Sequence, residues 1–197
     1  MARMLDVLDR LRDLETDLEH EVAAAQHRWH YKIETGRIRF EEAVHRRHKA
    51  LKMSLAQFLR ESSIPALLTA PIIYSLFVPF VVVDAWVSLY QLVCFPIYGI
   101  DRVRRSDYIA LDRRKLAYLN AIEKANCEYC SYANGLLAYI REIAARSEQY
   151  WCPIKHARRI RGPHTHYRLF VDYGDVEGYK HELPVLRKSL KKHSDHE

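Results

Sequence analysis

Cys127 and Cys130 form a Cys-x-x-Cys pair within CEYCSYANG, and Cys152 precedes His156 as Cys-x-x-x-His within WCPIKH. Thiolate and imidazole are the ligands zinc prefers, so three sulfurs and one nitrogen make a candidate tetrahedral centre. Four protein ligands leave no open position, which makes such a centre structural. The order Trp151-Cys152-Pro153 predicts a helix opening at the proline, with Cys152 capping it and His156 one turn along the same face. The spacer sets a condition. If Cys130 to Cys152 ran as one unbroken helix, the two half-sites would stand about 30 Å apart and no single ion could join them. Closure therefore needs a reversal, with Asn134-Gly135 as the turn signal, a helix of about twelve residues, and an extended return through Ser147 to Trp151. Two other readings stay open: a redox pair at Cys127 and Cys130, eased by a helix terminus or by Lys124, and unreactive buried thiols. Cys94 sits in an apolar stretch and reads as a small apolar residue.

A second cluster combines His27, His30, His45 and His48 with Glu42, whose Glu-x-x-His spacing to His45 is used by di-iron bundles. Few inward carboxylates accompany it, so a solvated basic face competes with the metal reading. His164-Thr165-His166 comes after Gly162-Pro163 in an expected loop and reads as surface histidines, with metal ligation as the alternative.

The elements that must carry these residues are organised around one apolar block, Ile64 to Ile100, whose one charged side chain is Asp84. Mean hydropathy over the whole chain is only −0.31, which hides it. About 20 apolar residues span a bilayer, so the block is long for one span and short for two. Arg37, Arg39, Arg46, Arg47, Lys49, Lys52 and Arg60 precede it, and Arg102, Arg104, Arg105, Arg113, Arg114 and Lys115 come after it. Positive flanks on both sides predict a helical hairpin, Ile64 to Val81 and Ala85 to Ile100, reversing near Pro79 to Asp84 with both ends in the cytoplasm. A single tilted helix and a buried core hairpin are the alternatives. Asp84 then falls at a water-exposed turn; as an intramembrane acid it would instead mark an ion path or an arginine partner.

Met4, Leu8, Leu11, Leu18, Val22, Ala25 and Trp29 fall on alternating spacings of four and three, with Glu15 the polar intruder, a coiled-coil-like stripe. Thr35-Gly36 breaks it, and Phe40, Val44, Leu51, Leu55 and Phe58 suggest a second helix, so the two are expected to fold as a helical hairpin. Leu111 to Asn126 reads as a helix, YRLFVDYGDVEGY as the one plausible short strand, and LPVLRKSLKKH as a short basic helix or fray. The expected fold is mainly α with little or no β. Its parts are a helical arm at 1–60, a membrane hairpin at 61–100, a Cys/His helical domain at 101–162 and a basic tail at 163–197. From Lys155 to Arg168 there are five Lys or Arg and no acid. Arg158, Arg159 and Arg161, with Arg102, Arg104 and Arg105, are candidate contacts to lipid phosphates. No helix-turn-helix or stacking platform supports nucleic-acid binding.

The segments LAYLNAIEKANCEYCSYANGLLAYIREIAAR and EQYWCPIKHARR, preceded by TAPIIYSLFVPFVVVDAWVSLYQLVCFPIYGI, resemble a family of uncharacterised bacterial membrane-associated proteins over most of residues 30–185. The resemblance implies attachment to the bacterial inner membrane and supplies no activity.

The chain has 197 residues, with 31 Lys or Arg against 25 Asp or Glu, a net charge of +6. Gly (6) and Pro (7) are too few for a disordered or collagen-like chain, and four cysteines too few for a disulfide scaffold. The charged first twenty residues predict no signal peptide. No nucleophile–base pair or phosphate-binding loop is visible. The expectation is a non-enzymatic scaffold or accessory subunit on the cytoplasmic face, stabilised by zinc, whose partners are membrane lipids and another protein or a second copy. The alternative is a membrane enzyme or thiol-disulfide protein acting on a lipid, quinone or partner.

Overall fold

A computed structural model of the chain describes residues 2–29, 31–34, 37–40 and 42–191, and it is mainly helical. The chain divides into two compact units, Met1–Glu61 with Asp112–Ala125, and Ser62–Leu111 with Asn126–Glu197.

In the first unit the heptad-like stripe yields helix α1, Ala2–Trp29. Its apolar positions Leu18 and Val22 are exposed. The expected helical hairpin is replaced by a pair of strands. Strands β1 (Tyr31–Glu34) and β2 (Arg37–Phe40) pair antiparallel, with Ile33 opposite Ile38 and Tyr31 opposite Phe40. The strict alternation of Tyr-Lys-Ile-Glu and Arg-Ile-Arg-Phe favours strand, and that period overrides the helical one. Thr35 and Gly36 lie outside the described residues. Helix α2 (Glu42–Ala50) and helix α3 (Leu55–Glu61) divide the expected second helix. Ser54 opens α3, its hydroxyl accepting from the Gln57 amide at 3.2 Å.

The second unit holds the apolar block as α4 (Ile64–Ser75) and α5 (Phe77–Tyr98), separated only by Leu76. Leu76 keeps right-handed helical angles, so the chain continues in one direction across it. Pro79, at the third position of α5, has no amide to offer the Ser75 carbonyl, which accounts for a local tightening rather than a turn. The predicted reversal at Pro79 to Asp84 is therefore corrected: these residues lie inside one helix. The true stop is Gly99, in the left-handed region at φ 65°, where Ile100 donates to the Phe95 carbonyl (2.8 Å) and Gly99 to that of Pro96 (3.2 Å).

Residues 99–120 return with two short 3₁₀ turns, at Arg105–Asp107 and Arg113–Lys115, replacing the helix expected from Leu111. Asn120 then caps α6 (Ala121–Trp151): its side-chain oxygen accepts from the Ile122 (2.9 Å) and Glu123 (3.0 Å) amides, and its own amide donates to Glu123 (2.8 Å). Helix α6 runs through Asn134-Gly135 without the expected turn. Gly135 serves close approach instead, since a Cβ there would meet the Tyr108 carbonyl oxygen at 2.5 Å and Ile109 Cα at 3.0 Å. The core gathers Phe95, Ile100, Val103, Ile109, Leu136, Tyr139, Ile143 and Leu190.

Pro153 stands just past α6 and ends it, so it does not open a helix as predicted. The expected strand is reduced to one parallel bridge, Ile154 with Val171, preceded by a 3₁₀ turn at Thr165–Leu169. The basic tail is packed: α7 (Val176–Ser189), capped by Asp175 accepting from Gly178, buries Leu186, and Leu190 joins the core.

In a free helix, Gly135→Ala would be worth about 1 kcal/mol in favour of alanine. Here the steric conflict reverses the sign, and the variant is expected to be about 1–3 kcal/mol less stable by denaturant unfolding.

Candidate functional site

Helix α5 arranges its polarity in an unusual direction. Phe80, Asp84, Val87, Ser88, Tyr90, Gln91, Cys94, Phe95 and Tyr98 are its shielded positions, a stripe along one side that includes its three most polar side chains, Asp84, Ser88 and Gln91. This stripe meets α6 and the return segment. Asp84 accepts from Arg105 at 2.7 Å and from the Tyr132 hydroxyl at 3.0 Å, with Ser88 at 3.5 Å. The side-chain oxygen of Gln91 accepts from the Val103 amide at 3.0 Å, and its amide donates to the Tyr139 hydroxyl. Tyr90 and Ser147 share a hydrogen bond of 3.0 Å, and Tyr98 rests on Tyr150 and Trp151, each with ring centroids at 5.2 Å. The pairing rises along both helices together, so α5 and α6 run side by side and parallel.

The remaining faces of α4 and α5 are apolar and uncovered. Leu68 (72%), Val82 (60%), Trp86 (73%) and Ile97 (72%) are largely exposed. The segment Ile64–Tyr98 is long and apolar enough to cross a membrane, and no residue of its most apolar stretch is buried. Ordinary helices of soluble domains put polar groups outward; this one turns its polar groups inward, beside Phe80, Val87 and Phe95, and leaves its outer face apolar. A contiguous exposed apolar surface of this extent marks a membrane or protein contact.

Asp84 is thus neither at a turn nor exposed to water: it stands mid-helix and is answered by an arginine of the same chain. The proposed metal centre does not assemble. Cys127 and Cys130 lie on α6 and Cys152 comes directly after its last residue, so the spacer is the unbroken helix that the sequence-based condition excluded. At 1.5 Å per residue the two halves are over 30 Å apart. His156 lies on the loop beyond, its ring stacked on Tyr167 with centroids at 5.9 Å. These residues do not fit a shared zinc ion. A thiol-disulfide site gains nothing either: Cys127 lies two turns into α6, away from the helix start that would favour its thiolate. Among the described residues no group of three or more His, Cys, Asp and Glu could hold a metal. In the second cluster His30 lies outside those residues; His27 is on α1, His45 and His48 on α2, and His48 packs edge-on against Tyr118 at 5.2 Å.

The sequence reading missed a network on another face of α6. His164 and His166 are partly buried, not surface groups. His164 Nε2 lies 2.9 Å from Glu148, His166 Nε2 3.2 Å from Glu142, and His166 Nδ1 2.5 Å from Gln149 Oε1. Arg146 pairs with Glu142 at 2.8 Å and also donates to the Asp101 carbonyl at 2.8 Å. Gln149 Nε2 donates to Leu186 O (2.8 Å) and Ser189 Oγ (2.9 Å), tying α7 to the same point. The Glu142-x-x-x-Arg146 spacing was visible in the sequence, but its histidine partner arrives from outside the helix. Glu142, Arg146, Gln149, His166 and Ser189 border a cavity of about 460 Å³. Apart from His164 Nδ1, which is buried without a hydrogen-bond partner among the described residues, the polar atoms of the network are occupied with one another, which makes it a clamp on the 164–190 segment.

The chain matches no protein-family model, no curated protein and no solved structure.

The hydrogen bond from His166, aided by Arg146 and opposed by burial, holds the Glu142 carboxyl at about 2, against an ordinary 4.5. A carboxyl depressed by folding contributes stability that is complete above about 4.5 and disappears as pH falls through about 2. Urea unfolding at pH 7, 5 and 3 is expected to show Glu142→Gln less stable than wild type at pH 7 and the gap narrowing toward pH 3.

Proposed function

We propose that this protein is a non-enzymatic, membrane-attached accessory protein that lies on a bilayer through the exposed face of α4 and α5. The carrying observation is that outward face: lipid is the solvent that suits Leu68, Val82, Trp86 and Ile97, while Asp84, Ser88, Tyr90 and Gln91 of α5 find their partners on the protein side.

The manner of attachment is dictated by α6. A spanning α5 would hold Arg141, Glu142, Arg146 and Glu148 of its parallel neighbour at hydrocarbon depth, at several kcal/mol per charge. At 35 residues the apolar segment is also about 52 Å long, well beyond the roughly 30 Å hydrocarbon layer. Lying in the interfacial plane removes both conflicts. Arg102, just past the end of α5, would then sit at head-group level, where it is worth about 1 kcal/mol on an anionic surface. This replaces the predicted hairpin with a single interfacial helix. The resemblance of the 69–100 and 116–159 segments to bacterial membrane-associated proteins supports the cytoplasmic face of a bacterial inner membrane as that surface. The exposed Leu18 and Val22 on α1 favour a helical protein partner for the arm.

Flotation of the full chain with neutral phosphatidylcholine vesicles tests the reading. Wild type is expected to float, and Trp86→Asp with Val82→Asp to lower the partition coefficient by at least about tenfold, since each removes more than 1.4 kcal/mol of apolar transfer. The helical circular dichroism should be unchanged. A detergent-free wild-type chain that stays in solution as a stable dimer would show that a second copy covers the face and would overturn the reading.

A further inference from the structure

Beyond α6 the chain forms a loop around a cavity of about 790 Å³, lined by Lys155, His156, Arg158, Arg159, Arg161 and Tyr167 among others. Both ends of the loop are fixed. At the start Lys155 donates its amide to Val171 O (2.8 Å) and Val171 donates to Pro153 O (2.9 Å). At the finish Arg141 donates to Gly162 O (2.8 Å) and Pro163 O (2.6 Å). Inside, the His156 amide donates to the Tyr167 hydroxyl at 2.6 Å, and the two rings stack. The cavity wall is therefore built, not a loose strand of chain.

Its charge is one-sided. No acid occurs between Lys155 and Arg168. Lys155 is neutralised by Asp172 at 2.8 Å, but Arg158, Arg159 and Arg161 are exposed and pair with no carboxylate among the described residues. Three guanidinium groups held within four positions repel one another, and an anion offering several oxygens relieves that repulsion through bidentate contacts. The volume is that of a small-molecule pocket rather than of a bare phosphate, and Tyr167, His156 and Ile160 add ring and apolar surface to its wall.

Helix geometry places the cavity. Arg141 and Glu148, which hold the 162–164 segment, project from α6 on the side opposite Tyr132, Tyr139 and Tyr150, which meet α5. With α5 on the bilayer, the arginines stand on the aqueous side of α6.

We propose that this cavity binds a small organic phosphate carrying at least two negative charges, taken from solution rather than from the lipid surface. The aqueous source rests on the membrane attachment proposed above; the recognition of phosphate by Arg158, Arg159 and Arg161 does not. It also reassigns these three arginines from the lipid contacts expected of them.

Titration calorimetry of the full chain in mild detergent, with ADP and with adenosine as probes, tests it. ADP is expected to bind one per chain and saturably, adenosine at least about tenfold more weakly. The Arg158→Gln/Arg161→Gln variant should lose at least about tenfold in ADP affinity, with unchanged melting temperature and unchanged flotation on neutral vesicles. Equal binding of ADP and adenosine, no ADP binding, or full ADP affinity in the double variant would overturn the proposal. A second arm uses vesicles containing phosphatidic acid, whose phosphomonoester is, like the terminal phosphate of ADP, an exposed dianionic phosphoryl group. If these bind through Arg158 and Arg161 while ADP does not, the ligand is a lipid head group and the aqueous source is wrong. Failure of wild type to float on neutral vesicles would sink the attachment alone.

Discussion

The architecture of the larger unit depends on the polar stripe of α5. Asp84, Ser88 and Gln91 recur at spacings of four and three on a helix that is otherwise hydrocarbon, and their partners come from Arg105, Tyr132, Val103 and Tyr139. Burying Asp84 without Arg105 would leave an uncompensated charge, and burying Gln91 without Val103 would leave an amide unsatisfied. The return segment and α6 are thus tied to one side of α5 by chemistry that cannot be met in lipid. That leaves the opposite side, entirely apolar, with no partner among the described residues.

Around this constraint the rest takes its place. Gly135 lets α6 press on the backbone of Tyr108 and Ile109, which brings the return segment into the core. On a further face of α6, Glu142, Arg146, Glu148 and Gln149 fasten His164, His166 and α7, so a chain end rich in cations is held in a defined position. The two long helices divide the work: α5 leaves an apolar face uncovered, and α6 gives one side to α5 and the others to polar groups that pair with one another.

Part of this was legible in the sequence. The stripe from Met4 to Trp29 gave helix α1, and the 64–100 block announced its apolar helix by composition alone. The inward stripe was equally present in the spacing of Asp84, Ser88 and Gln91, yet a reading that treats every apolar run as lipid-facing assigns Asp84 to a turn. Positive charge on both flanks did not produce a hairpin: the block is one helix, Ile64–Tyr98, because Leu76 keeps helical angles and Pro79 only tightens it locally. Asn134-Gly135 misled because glycine answers to two demands, turning and close approach, and only tertiary contact separates them. The cysteine spacing was sound as ligand chemistry; what defeated it was the continuity of α6, set by its Asn120 cap and by packing along its length. The histidine pair at 164 and 166 depended on a chain reversal that no local pattern encodes.

The claim that matters most is that α4 and α5 lie in the bilayer interface instead of crossing it. Spin labels at Leu68, Val78, Val82, Leu89, Val93 and Ile97, on the full chain bound to phosphatidylcholine vesicles, report immersion depth directly through relaxation by oxygen and by a water-soluble nickel complex. The account predicts that all six lie at similar shallow depths, about 5–10 Å below the phosphates, with labels at Ser88 and Gln91 shielded from oxygen. A depth that runs from one head-group layer through the bilayer centre to the other, in order along the sequence, would contradict it.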